Sequence, residues 1–522
     1  MGLTDALYTG TSGLRALGHG MSVIGDNVSN LNTTGFKGAR ITFSDVMAQS
    51  INTAAGSGQL GRGANIQALY AQFTQGAFET TANPTDMAIA GAGFFILRNP
   101  QAVGGVFYSR DGQFIVDKEG FLVNPQGLRV QGWRIDEVTN DIVGTLTDIR
   151  IDRTSPPVKT TKIDVITNLD AREERIDIGA FDINNNTLYA LWDATQGDEP
   201  ISSTVYTYRT SLLIYDSLGT PHEITIYYRP VKVTIGNETK SVYEFLVTCN
   251  PNEDMRQFAR EDLNQGKEGV LMYGMLEFDT QGNVIRFLNT YRLNPETGDL
   301  VRLVDETGLP DDDTSDEDVE FSDGSFGALG PTGYPLMIAD FLGINIDTNI
   351  PKSQAREQLQ LIELNFGYYY KTLTDNQVRQ EAIRTTQYAA PSATIFYDQN
   401  GFGPGALENI AVDNEGRISG VYSNGRIVPL WMVGLANFNA PERLQKVGSN
   451  LFRETTHSGP PLTGKPGTTG LGTIAPNSLE QSNVDLGEQF VKMIIFQRGF
   501  QADARIITVS DSMLEELINL KR

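Results

Sequence analysis

Apolar residues recur at alternating intervals of three and four near the start of the chain: Leu14, Leu17, Met21, Ile24, Val28 and Leu31, with Leu7 one heptad earlier. That spacing sets them on one narrow stripe of a helix, the geometry of a coiled-coil seam. The other faces carry Gly18, His19, Gly20, Ser22, Asp26, Asn27 and Ser29, so a lone helix here stabilises itself poorly and wants a partner. At the far end, Leu486, Phe490, Met493, Phe500, Ala504, Ile507, Leu514 and Ile518 keep the same register, interrupted by Gln497 and Asp511. Either stripe alone is better read as the buried face of an ordinary amphipathic helix. Two matched stripes at opposite ends predict instead that the terminal helices pair.

Between them the period shortens. Phe94-Phe95-Ile96-Leu97, Val106-Phe107-Tyr108, Phe114-Ile115-Val116 and Phe121-Leu122-Val123 are short apolar runs separated by Asp111-Gly112 and Lys118-Glu119-Gly120, the spacing of β-hairpins. Thr154-Ser155-Pro156-Pro157 punctuates the end of this series. A second series has its best strands at Ser211–Tyr215, Glu223–Tyr228 and Tyr243–Thr248, with Ser217-Leu218-Gly219-Thr220 as a connecting turn. Strand patterns return at Leu359–Phe366, Ile410–Asp413 and Ile418–Tyr422. The simplest topology nests one β domain inside another.

The expected fold is therefore multidomain and mainly β with α-helical termini. Residues 1–45 and 476–522 form a terminal helical domain, 71–170 and 355–440 an inner β domain, and 171–354 an inserted outer β domain. Small-residue and Gly/Pro/Thr tracts at 46–70 and 441–475 read as linkers. The C-terminal helix is expected to begin after Asn477-Ser478, with Ser482 or Asn483 as further capping candidates.

Charge narrows the partners. The 522 residues carry a formal net charge of -23, which disfavours nucleic acid and anionic membranes. Three Lys/Arg balance three Asp over residues 1–50, so the acid lies further along the chain. No membrane-spanning run and no cleavable secretory signal is apparent. Asp311–Asp318 is an acidic block without the glycine or ligand spacing of a calcium loop, and reads as a solvated loop.

Searches for chemistry return little. There is no phosphate loop, nucleophile elbow or His-Glu-x-x-His, and His19, His222 and His457 lie in separate segments. Gly91-Ala92-Gly93 and Gly401-Phe402-Gly403-Pro404-Gly405 complete no dinucleotide fingerprint, and Asp111 and Asp117 sit where hairpin turns favour Asp. No catalytic, cofactor-binding or metal-binding residue is expected. The single cysteine, Cys249, excludes an intrachain disulfide framework.

The residues that stand out carry a resemblance. Asn27-x-x-Asn30-x-x-Thr33-Thr34-Gly35-Phe36-Lys37 resembles the N-terminal signature of the bacterial flagellar rod and hook protein family. Asn83–Phe95 resembles the segment that opens that family's first β domain, Ser109–Phe114 followed by Gly120-Phe121-Leu122 its next hairpin, and Leu479–Leu486 and Gln497–Ala504 its C-terminal helix. Length, the inserted region, and segments such as Tyr215–His222, Leu276–Gly282 and Gly416–Gly425 resemble the family's hook proteins rather than its shorter rod proteins.

The resemblance implies a non-enzymatic building block of the flagellum. Such a chain self-assembles into a helical polymer, meets rod, hook-cap and hook–filament junction proteins, and leaves the cell through the flagellar export apparatus. The alternatives are another flagellar axial component, such as a distal rod or hook-junction protein, and a secreted β-rich surface enzyme or adhesin. In spirochaete members a cysteine is converted to dehydroalanine and captured by a neighbour's lysine, which makes Cys249 a candidate cross-linking residue. A small hydrophobe at a strand end is the favoured reading.

Overall fold

The computed structural model describes residues 3–520 except 54–55, 102–104, 138, 198, 237, 262–265, 311–328, 344–358, 371–377 and 469. The acidic block at 311–318 lies outside the described residues. Two compact units emerge, one formed by residues 1–154 and 406–522, the other by 155–405.

The first unit contains both terminal helices, Leu3–Ser29 and Leu486–Leu520. Its main sheet is assembled from both ends of the chain. Phe94–Arg98 pairs antiparallel with Val106–Ser109 and with Arg129–Ile135, which in turn pairs with Ile427–Val433. Residues of these strands, Phe95, Leu97, Val130 and Val433, build a core with the neighbouring Phe114 and Leu435. A second cluster, around Phe94, Tyr108, Phe438 and Phe452, packs its rings edge to face, the arrangement the aromatic quadrupole favours.

The two expected linkers are strands. Gln49–Thr53 pairs with Gly56–Leu60, inside a longer hairpin of Ala39–Asp45 with Ala64–Ala71. In the second tract, Leu451–Arg453 joins Val106–Ser109, Leu462–Gly464 joins Leu435–Asn437, and Thr473–Pro476 joins Met87–Ala90. Their glycines serve turns and close approaches within this unit: a Cβ on Gly472 would stand 2.4 Å from the Ala90 carbonyl oxygen.

The second unit is the insertion, but its limits differ from the expected 171 and 354. Lys162–Asn168 pairs in parallel with Gln360–Asn365 and antiparallel with Ala393–Gln399, so the flanking segments belong with the inserted residues. Leu336–Ala339 completes this sheet. A larger sheet runs from Ile176–Ala180 through Pro221–Ile235, Glu238–Cys249, Val270–Phe278 and Val284–Leu293 to Leu300–Val304, with Tyr208–Tyr215 added on Pro221–Ile235. The two sheets share a core that includes Ile163, Val165, Ile226, Phe245, Phe287 and Phe366.

The candidate functional site: a helix pair and its buried ionic anchor

The terminal helices run antiparallel. Gly10 faces Ile507, Gly20 faces Phe496, and the Asn27 amide donates to Gln489 Oε1 at 3.2 Å. A Cβ on Gly20 would lie 2.5 Å from the Phe496 ring, and one on Gly13 2.2 Å from the Asp503 carboxylate. In return, Leu17 occupies the notch over Gly499. The contact stripe thus runs through Gly10, Gly13, Leu17, Gly20 and Asn27, largely residues without bulk, with the buried Ile24 at the same spacing. Small residues let the backbones approach and leave room for partner side chains.

Of the N-terminal stripe read from the sequence, Ile24 is buried and Leu17 meets the partner helix, while Leu14, Met21, Val28 and Leu31 are half-buried. On the C-terminal helix, Met493, Ala504, Ile507 and Leu514 are half-buried. Leu486, Phe490, Phe500 and Ile518 are exposed. Val491, Ile494, Ile495 and Val509, absent from the predicted seam, are exposed as well. The C-terminal helix therefore keeps a broad uncovered apolar surface.

The Asn/Thr/Gly/Phe/Lys segment ends the N-terminal helix and fixes the chain that follows. Asn27, buried, donates to the Ala39 carbonyl at 2.9 Å and accepts from the Ala39 N–H at 2.8 Å. Asn30 donates from its side-chain amide to the Asp26 carbonyl, an acceptor shared with the Asn30 backbone N–H, and its side-chain oxygen receives the Thr33 hydroxyl. Gly35 sits at φ +67° against the Asp111 backbone nitrogen, to which a Cβ would approach within 2.7 Å. Only glycine meets both conditions.

Lys37 completes the segment in an unusual place for an ammonium. Its side chain is wholly buried, donating to Glu480 Oε1 and to the Thr74 carbonyl, both at 2.7 Å. Glu480 is buried too, on the short strand Ser478–Glu480 that pairs with Phe78–Thr80, and accepts the Gly76 N–H at 2.9 Å. Its other oxygen stands 3.5 Å from the buried Arg110 guanidinium, a charge contact longer than a good hydrogen bond. Burial lowers the pKa of both Lys37 and Arg110, and the Glu480 charge and its hydrogen bonding oppose that shift in each. Lys446 donates to the Lys37 carbonyl at 3.1 Å and lies over the Phe36 ring.

Glu480 and Arg110 carry no periodicity signal; only their place within the resembling blocks marked them. The C-terminal helix begins at Leu486, and Asp485 caps it by accepting the Glu488 N–H at 2.9 Å. Asn483, a predicted cap, binds elsewhere: its amide donates to Gln72 and Thr74, and its oxygen accepts the Gly38 N–H.

Cys249 lies in the second unit at the end of a strand, with its backbone N–H bonded to the Gly269 carbonyl and its side chain only 4% exposed. Burial pushes its thiol pKa far up. In this conformation its side chain belongs to the core shared by the two sheets of that unit.

The two chain ends thus pair as one helical element and are held by hydrogen bonds and a buried ion pair to strands of the same unit. Family comparisons agree along the chain: residues 7–37 match the flagella basal body rod protein family, 88–168 the flagellar hook protein FlgE/F/G D1 domain, 168–402 the flagellar basal body protein FlaE D2 domain, and 475–520 the flagellar basal body rod FlgEFG protein C-terminal family. The chain is 31% identical to flagellar hook protein FlgE of Treponema pallidum, over 99% of both chains. It is 26% identical to that of Escherichia coli over 99% of this chain and 100% of the other. A solved Helicobacter pylori flagellar hook protein FlgE2 is 14% identical, covering 77% of this chain and 100% of its own, with a TM-score of 0.42. The chain belongs to the flagellar hook protein family.

Proposed function

We propose that this chain is a structural, non-enzymatic subunit of the bacterial flagellar hook, the curved flexible tube that couples the motor rod to the filament and transmits torque. The observation that carries the reading is the uncovered apolar surface of the C-terminal helix, with Phe490, Val491, Ile494 and Ile495 each between 47% and 59% exposed. An apolar surface of that kind on a helix already paired along another face calls for further helices. Neighbouring copies supply them, and head-to-tail contacts that do not close on themselves generate a helical polymer. Membership of the hook family supports the same assembly.

In this reading the partners are other copies, the rod, the hook cap, the hook–filament junction proteins and the flagellar export apparatus, which delivers the chain outside the cell. Electron cryotomography of cells lacking this protein is expected to find motors and rods without hooks. Intact hooks in those cells would refute the assignment.

A further inference from the structure

Lys37, Arg110 and Glu480 come from three distant parts of the chain and meet in one dry place. Two are cations and one is an anion. Lys446 adds a third positive charge beside Phe36 and Lys37, and the Asp26 carboxylate on the N-terminal helix favours its charged form. The segment that ends the N-terminal helix therefore docks among cations, and Glu480 is the carboxylate that balances Lys37 and Arg110.

The two chain ends are unequal in what they need. The Ser478–Glu480 strand has partners of its own in the β unit: the ladder with Phe78–Thr80, the Gln481 N–H to the Ala77 carbonyl, the Gly76 N–H to Glu480, and the Arg110 charge. Without the N-terminal segment, Glu480 and Arg110 remain a balanced pair. The N-terminal segment leans instead on the C-terminal one. The Gly35 N–H donates to the Glu480 carbonyl at 2.7 Å, the Gly38 N–H to Asn483 at 2.9 Å, and Lys37 to the Glu480 carboxylate. Its contacts with the rest of the unit, from Asn450 and Gln113 to Thr34, from Lys37 to Thr74, from Lys446 to the Lys37 carbonyl and from the Gln72 N–H to the Gly38 carbonyl, would set Lys37 beside Arg110 with no anion. An unpaired buried charge is strongly destabilising, more so than a pair is stabilising.

We propose that Glu480 makes docking of the chain ends a one-way dependence: the Ser478–Glu480 strand holds without the N-terminal segment, whereas residues 33–38 need the Glu480 carboxylate to stay docked. The dependence follows from the charge arrangement of the single chain, so it stands or falls separately from the hook assignment.

Hydrogen exchange read by mass spectrometry on the full-length protein tests it. Glu480→Gln is expected to speed exchange of residues 33–38 by about tenfold or more, with Phe94–Leu97 unchanged as the control for an intact sheet. Lys37→Met is expected to leave residues 478–481 within about twofold of the parent chain. The double variant K37M/E480Q, which removes the cation with its anion, is expected to recover protection of residues 33–38 relative to E480Q, and provides the comparison should E480Q alone not fold. Equal loss at 478–481 in K37M, unaltered exchange at 33–38 in E480Q, or no recovery in the double variant would overturn the proposal.

Discussion

Gly18 and Gly20 lie two residues apart on the N-terminal helix and face different surroundings. A Cβ added at Gly18 meets nothing within 4 Å, whereas one at Gly20 falls 2.5 and 2.8 Å from two carbons of the Phe496 ring. That ring has little room to retreat, because Phe43 abuts it edge-on at 6.0 Å between centroids and itself comes within 3.5 Å of the same point. Replacing either glycine by alanine gains the same helix propensity, about 1 kcal/mol. At Gly20 the overpacking cost, about 1–3 kcal/mol, opposes it. Because the propensity gain is common to both, the difference between Gly18→Ala and Gly20→Ala isolates the packing cost, and the G20A chain should be the less stable by about 1–3 kcal/mol. Hydrogen exchange of a peptide spanning residues 10–24, measured on dilute unassembled protein, reads that difference directly: slower exchange than the parent for G18A, unchanged or faster for G20A. Equal slowing in both variants would mean that the helices do not approach through their glycines.

Further outcomes follow from other sites. Gly35→Ala combines a left-handed backbone with a 2.7 Å clash against the Asp111 nitrogen, and should cost about 3 kcal/mol in urea titration of the first unit. Asp111 is pushed up to about 6 from an ordinary 3.8, chiefly by burial and further by Asp86, against a hydrogen bond from the Gln113 N–H. Its folded form thus holds the proton more tightly than the unfolded chain, and the stability it contributes is full below about pH 4 and lost as pH rises through 6. Asp111→Asn should flatten that decline and raise stability at pH 7 by about 1–3 kcal/mol; a profile from pH 4 to 7 parallel to the parent's would refute it. In the second unit, Glu244 binds Arg229 at 2.7 Å and the Leu188 N–H at 2.7 Å, all buried. Glu244→Gln should destabilise that unit by about 3–5 kcal/mol in calorimetry. Removing residues before Thr42 and after Pro476 should abolish tube formation under the microscope, and normal tubes would exclude the terminal-helix mechanism.

The terminal helices were readable because their apolar spacing is local, and their pairing because two stripes matched. The face of contact was less readable. Gly10, Gly13 and Gly20 contribute by absence of bulk, which no hydrophobic period registers, so the apolar stripe pointed to Leu14, Met21 and Val28, one position off the contact. The insertion was visible as a change of strand pattern, but its limits depend on Lys162–Asn168 pairing in parallel with Gln360–Asn365. A register joining residues about 200 apart leaves no local trace, although Thr154-Ser155-Pro156-Pro157 stands where the units divide. Tracts rich in Gly, Pro and Thr resembled linkers because edge strands and tight turns draw on the same residues. A buried Lys37 and Glu480 lie outside any residue-type expectation, since such charges are almost never fully buried unless paired.

The second unit begins and ends side by side: Val158 and Phe402 exchange both backbone hydrogen bonds, at 2.9 and 2.8 Å. Two backbone segments tied to each other in this way make everything between them a cassette. Evolution can lengthen, recharge or replace some 240 residues there without moving the positions at which the chain leaves and rejoins the first unit. The acidic excess of the middle of the chain then becomes a trait free to follow the organism's surroundings, while the braided ends stay bound by the geometry of their glycines.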